Sequence, residues 1–131
     1  MSDRMSYAVG GFREVQADFG SADDSSASVD TLAALLNITK SDLAVASGLP
    51  REAISKVTRL AAPNTQARLR DLMEILTRTQ VWAGSIGQAF AWYRSQPLPS
   101  FGDQTAEDLV KEGRAEAVKA YLSRIAVGGY A

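Results

Sequence analysis

The chain has 131 residues, 46% of them apolar, enough for one ordinary domain or two small ones sharing a core. It contains neither cysteine nor histidine, which excludes disulfides, thiolate zinc sites, thiol nucleophiles and the commonest general base and metal ligand. The net charge of −1 hides an uneven distribution, since residues 1–30 hold two basic and six acidic side chains and residues 40–78 hold seven basic and four acidic.

Residues 1–27 combine Gly10-Gly11, scattered acids and the low-complexity stretch from Gly20 to Ser28, and read as a flexible leader. Every later segment reads as helix. Leu32, Leu35 and Leu36 form a first apolar stripe, and Thr39-x-x-Asp42 is a capping-box pattern opening a helix that Gly48 ends. Pro50 suits the first turn of a third helix, which buries Ala53, Ile54, Val57 and Leu60. Pro63-Asn64-Thr65 opens a longer helix with Leu69, Leu72, Met73 and Leu76 on one face, and Trp82, Ile86, Phe90 and Tyr93 continue its period to Arg94. The loop from Gln96 to Gln104 is expected to be irregular because of its prolines and glycine, with Phe101 folded back on the core. Thr105-x-x-Asp108 caps a short helix ended by Gly113. The last helix packs Val118, Tyr121, Leu122 and Ile125 inward and stops at Gly128-Gly129, where a left-handed turn costs little. The expected fold class is all-α.

The basic middle of the chain fits a helix-turn-helix. Ala44 is small where two short helices would cross, Gly48 permits the turn, and Leu43, Leu49, Ile54 and Val57 supply the core between them. Arg51, Glu52, Ser55, Lys56 and Arg59 share the outward side of the second helix and are the candidate DNA-binding residues. Arginine and lysine there would neutralise phosphates, and Arg51, Ser55 or Lys56 could reach base edges, giving binding that weakens steeply with salt. The plainer reading is also open: Glu52 and Lys56 form an i,i+4 surface pair on helices that merely pack together. In spacing, this pair of helices resembles the Xre and phage-repressor type.

From Phe90 to Ala131 the chain shows Trp92-Tyr93-Arg94, a loop with Pro97, Pro99, Phe101 and Gly102, then Thr105, Gly113, and finally Arg124-Ile125-Ala126-Val127-Gly128-Gly129-Tyr130-Ala131. This succession resembles the toxin-binding domain of the Xre/MbcA/ParS antitoxin family, and with the helix-turn-helix the resemblance covers roughly residues 28 to 131. Two positions depart from the family pattern: Ala106 stands where a proline is common, and Asp103 where a glycine or other small residue is common. Domain boundaries follow as a leader at 1–27, an Xre-like DNA-binding domain at 28–79 and a toxin-binding domain at 80–131.

The resemblance implies an antitoxin whose partner is a RES-domain toxin, an enzyme that consumes NAD. It further implies a C-terminal region that covers the toxin's active site, and repression of the operon through the helix-turn-helix. Carried over by position, the toxin-binding candidates are Trp92, Arg94, Arg124, Gly128, Gly129, Tyr130 and Ala131. Each has a simpler role beside this one. Trp92, off the Ile86-Phe90-Tyr93 stripe, could anchor a partner or pack on the proline loop. Arg124, in the last helical turn, offsets the helix dipole without any partner. Tyr130 lies too far past the helix end to join its stripe, and a ring beside a terminal carboxylate suits a nicotinamide-shaped cleft, although chain ends also fray.

Three function classes compete: an antitoxin, a stand-alone dimeric repressor whose C-terminal helices only dimerise, and a small enzyme. The enzyme is disfavoured by the absence of histidine, cysteine, a phosphate-cradling glycine loop and clustered acids away from helix caps, so no catalytic residue, metal or cofactor is expected. Operator DNA bound by a homodimer is expected from the symmetry of paired half-sites. No apolar run approaches the roughly 20 residues that cross a bilayer, and the first residues lack a secretory pattern, so a cytoplasmic protein without membrane attachment is expected.

Overall fold

The computed structural model describes residues 22–55 and 60–128, and among these the fold is all-α. Helix α1 spans Ala22–Leu36, α2 Lys40–Ala46, α3 Glu52–Ser55, α4 Pro63–Ala83, α5 Ile86–Ser95, α6 Ala106–Lys111 and α7 Ala115–Gly128. The described residues fall into two compact units, one holding those up to Val45 with those from Leu49 to Arg70, and the other Ala46–Gly48 with those from Asp71 onward.

In the first unit, Val29, Leu32, Ala33 and Leu36 make a buried stripe at i, i+3, i+4, i+7 along α1. That helix begins at Ala22, inside the segment read as leader from its low complexity. Once the apolar stripe nucleates a helix, each added residue costs little, so the helix propagates back through alanine and serine. It ends at Asn37, which adopts a left-handed φ of 58° while the Ile38 amide donates to the Ala33 carbonyl at 3.0 Å.

Thr39 caps α2 as its spacing predicts, its hydroxyl accepting from the Asp42 amide at 3.0 Å. At the other end Gly48 takes φ 72°, and the Leu49 amide donates to Ala44 at 2.9 Å. This left-handed reversal closes the end of α2. The Pro50 carbonyl then accepts from Ala53 at 3.0 Å to start α3, whose Ala53 and Ile54 are buried, as is Leu60 further on. Val57, Lys56 and Arg59 lie outside the described residues. Pro63 is the first residue of α4, where its missing amide hydrogen is no loss.

In the second unit, Leu72, Met73, Ile75 and Leu76 of α4 are inaccessible to solvent. The helix expected to run on to Arg94 is instead broken at Gly84-Ser85. Gly84 adopts φ 105°, and Ser85 becomes the cap of α5, accepting from the Gln88 amide at 3.1 Å. The apolar period survives the break, which is why periodicity missed it; a glycine-serine pair is also a cap signal, and here the cap wins.

Helix α5 buries Ala89, Phe90 and Tyr93, and the Tyr93 hydroxyl donates to the Ala46 carbonyl at 2.5 Å. The proline loop is more regular than expected. It holds a single 3-10 turn at Pro99–Phe101 and an isolated bridge between Leu98 and Gln104, because the Leu98 amide and carbonyl are both used inside the loop. The capping box of α6 is complete, with the Thr105 hydroxyl accepting from the Asp108 amide and the Asp108 carboxylate accepting from the Thr105 amide, both at 3.1 Å. In α7, Val118 and Leu122 are buried, whereas Tyr121 and Ile125, expected inside, are only half-buried.

Candidate functional site

Two sets of residues bear on function. Helices α2 and α3 are joined by the short turn at Ser47–Arg51, with Arg51 and Glu52 exposed and Ala53 and Ile54 buried. Ser55 closes α3 as described, while Lys56 and Arg59 lie outside the described residues. Lys40, at the start of α2, is paired with Asp30 at 2.7 Å. An open depression of about 250 Å³ lies beside the turn, lined by Leu49, Pro50, Ala53, Ala62, Asn64 and Thr65.

The second unit holds the described part of the toxin-binding set. Trp92 is half-buried, and its indole meets Trp82 edge-on, ring centroids 5.4 Å apart at 89°. Arg94 does not project alone into solvent. Its Nε donates to Glu107 Oε1 at 3.0 Å and its Nη2 to Oε2 at 3.3 Å, while its guanidinium lies 5.1 Å from the Phe90 ring centre. Lys111 completes the arrangement at 3.2 Å from the same carboxylate. Burying Glu107 is possible because two cations neutralise it.

Arg124 is exposed on α7, with its guanidinium 5.8 Å from the Tyr121 ring centre. Tyr121 in turn meets Phe101 edge-on at 6.1 Å, and Arg114 lies 5.6 Å from the Phe101 ring. Phe101, Arg114 and Tyr121 were not candidates from sequence. Only the Tyr121–Arg124 pair has helical spacing; the other members come from separate elements. The remaining candidates Gly129, Tyr130 and Ala131 lie outside the described residues, and Gly128 is the last residue of α7.

Lys119 ties α7 to α4 through Asp71 at 2.7 Å, Glu74 at 3.3 Å and Glu116 at 3.0 Å. Partial burial by itself would lower its pKa, but the hydrogen bonds it donates to Asp71 and Glu116, the charge of Asp71 and the bond to Glu74 outweigh that and raise it well above the ordinary lysine value. Arg78 reinforces the same junction, bonding Glu74 at 2.9 Å and donating to the Lys119 carbonyl at 3.2 Å. Helix α7 is thus anchored along one side.

Residues 79–128, which include Trp92, Arg94, Glu107, Lys119 and Arg124 but not Asp71, Glu74 or Arg78, match the family model described as the antitoxin Xre/MbcA/ParS C-terminal toxin-binding domain. Over this stretch the chain is similar to the Xre/MbcA/ParS antitoxin family. No curated protein and no solved structure matches the chain. The match begins at Thr79 in α4 and ends with the last residue of α7, so Trp92, Arg94, Arg114 and Arg124 all fall inside the matched stretch.

Asp103 adopts a left-handed φ of 66° directly after Gly102 at 67°. Aspartate is among the few side chains that tolerate this region, so the loop makes its turn there without a second glycine. Among the described residues no group of acidic side chains is arranged to hold a metal, and no helix is long and apolar enough to cross a membrane.

Proposed function

We propose that this protein is the antitoxin of a type II toxin-antitoxin pair, neutralising a NAD-consuming RES-domain toxin with its C-terminal region and repressing its own operon through residues of the first unit. The observation that carries this reading is the toxin-binding-domain match over residues 79–128, placed behind a chain segment with helix-turn-helix spacing and a basic balance. In this reading α7 presents Arg124 and the residues after it to the mouth of the toxin's cleft, and Tyr130 with the terminal carboxylate enters or covers it. Arg51, Glu52, Ser55, Lys56 and Arg59 face operator DNA, and a homodimer reads paired half-sites. The protein then acts in the cytoplasm, as a binding protein and not as an enzyme.

The test is co-expression with a RES-domain toxin, reading growth and cellular NAD. Restored growth and a restored NAD pool are the expected result. Unrelieved toxicity in the presence of soluble protein would remove the antitoxin reading and leave a stand-alone repressor.

A further inference from the structure

Resting on the antitoxin reading and deepening it, we infer that Arg114, Phe101, Tyr121 and Arg124 form a cation–aromatic ladder that docks on a carboxylate-rich patch of the toxin. In the second unit the cations Arg78, Arg94, Lys111 and Lys119 each face a carboxylate within the fold. Arg114 and Arg124 are the exception: both are exposed, and among the described residues neither has an ion pair. What holds them is the flat face of a ring, Phe101 for Arg114 at 5.6 Å and Tyr121 for Arg124 at 5.8 Å, with the two rings in edge contact at 6.1 Å.

Stacking of this kind leaves the outer edge of each guanidinium, with its fork of N–H donors, directed to solvent. It also restricts side chains that would otherwise lose freedom on binding, so the ladder is organised before a partner arrives. A planar fork held edge-outward fits a carboxylate in two-point contact. The aromatic pair between the two arginines adds an apolar centre flanked by charge, as in a protein interface.

The surroundings favour discrete carboxylates over a nucleic-acid backbone. Residues 101–131 carry five acidic side chains, Asp103, Glu107, Asp108, Glu112 and Glu116, against four basic ones. With acids in excess, this stretch offers a continuous run of phosphates no surplus of positive charge, whereas a toxin surface offering a few acids needs only Arg114 and Arg124. All four ladder residues lie within the matched toxin-binding domain, and Arg124 is one helical turn before the end of α7. The ladder therefore extends the contact already expected of the tail.

The measurement is calorimetric affinity for a purified RES-domain toxin that the wild type neutralises on co-expression, at low and high salt, for the full-length wild type, R114E/R124E and R114K/R124K. The charge reversal is expected to weaken binding by at least about tenfold and to flatten its salt dependence. The lysine variant should recover only part of the affinity, since it restores charge without the planar fork. Melting curves report folding, and R114Q/R124Q serves in place of the reversal if that variant melts early. Wild-type binding with unchanged affinity in R114E/R124E overturns the ladder while leaving the antitoxin reading standing. A wild type that binds no toxin overturns both. Loss of operator binding in R114E/R124E with toxin affinity intact would assign the ladder to DNA and overturn it equally.

Discussion

Arg94 and Glu107 form a two-point ion pair across the proline loop, in which the carboxylate side chain is 8% exposed and the guanidinium 30%. The pair is asymmetric. Removing the more exposed arginine strands a buried charge, which costs more than returning an exposed cation to water.

For R94A, a loss of about 2–3 kcal/mol is expected in urea unfolding at neutral pH, because Lys111 alone then faces Glu107. Adding E107Q to R94A should recover about 1 kcal/mol by removing the stranded charge. Equal stability of the single and double variants would mean that water reaches Glu107 and that the pair is not a buried one.

Gly84 provides a test whose sign distinguishes two folds. If α4 and α5 were one continuous helix, as their apolar period suggests, G84A would stabilise by about 1 kcal/mol. In the observed fold the φ of 105° is strained for alanine, and its Cβ would lie 2.6 Å from the Gln88 amide oxygen, which can swing away. The expectation is therefore destabilisation, about 1–2 kcal/mol, read as a lower melting temperature.

Lys119 predicts an alkaline limit. Its folded pKa is raised, so the stability it contributes is complete below the pKa of the unfolded chain and is lost as pH rises through the folded value. K119M should therefore be less stable than wild type by a constant margin from neutral pH up to about 10, with the gap narrowing only above that. A gap that closes between pH 7 and 9 would show that Lys119 does not hold its proton in the network.

The two proposed activities should separate. Deleting Gly128–Ala131 is expected to leave folding and operator binding nearly intact while weakening toxin neutralisation by at least about tenfold. R51A/K56A should abolish operator binding in a gel-shift assay and spare neutralisation. If the truncated protein protects cells as well as the full chain, the tail takes no part in inhibition.

Legibility in the sequence followed the range of the interactions. The caps at Thr39 and Thr105 and the ends at Gly48 and Gly113 were readable because a cap is decided within about five residues. The break at Gly84-Ser85 was not, since apolar spacing keeps its phase across it. The candidates Trp92, Arg94 and Arg124 came from the family motif, but nothing local marked Glu107 as the partner of Arg94, thirteen residues away.

Taken alone, the sequence determined the all-α class, most helix ends, the absence of cysteine and histidine chemistry, and the resemblance that the match at residues 79–128 upholds. Those properties rest on composition and on short-range spacing. Tertiary structure decided which charges are spent inside the fold and which stay open. Arg94 and Lys119 are neutralised by carboxylates distant in sequence, while Arg114 and Arg124, among the described residues, meet aromatic faces and no carboxylate. The reason is that ion pairing depends on separations of a few ångströms between different elements, and only their packing sets those.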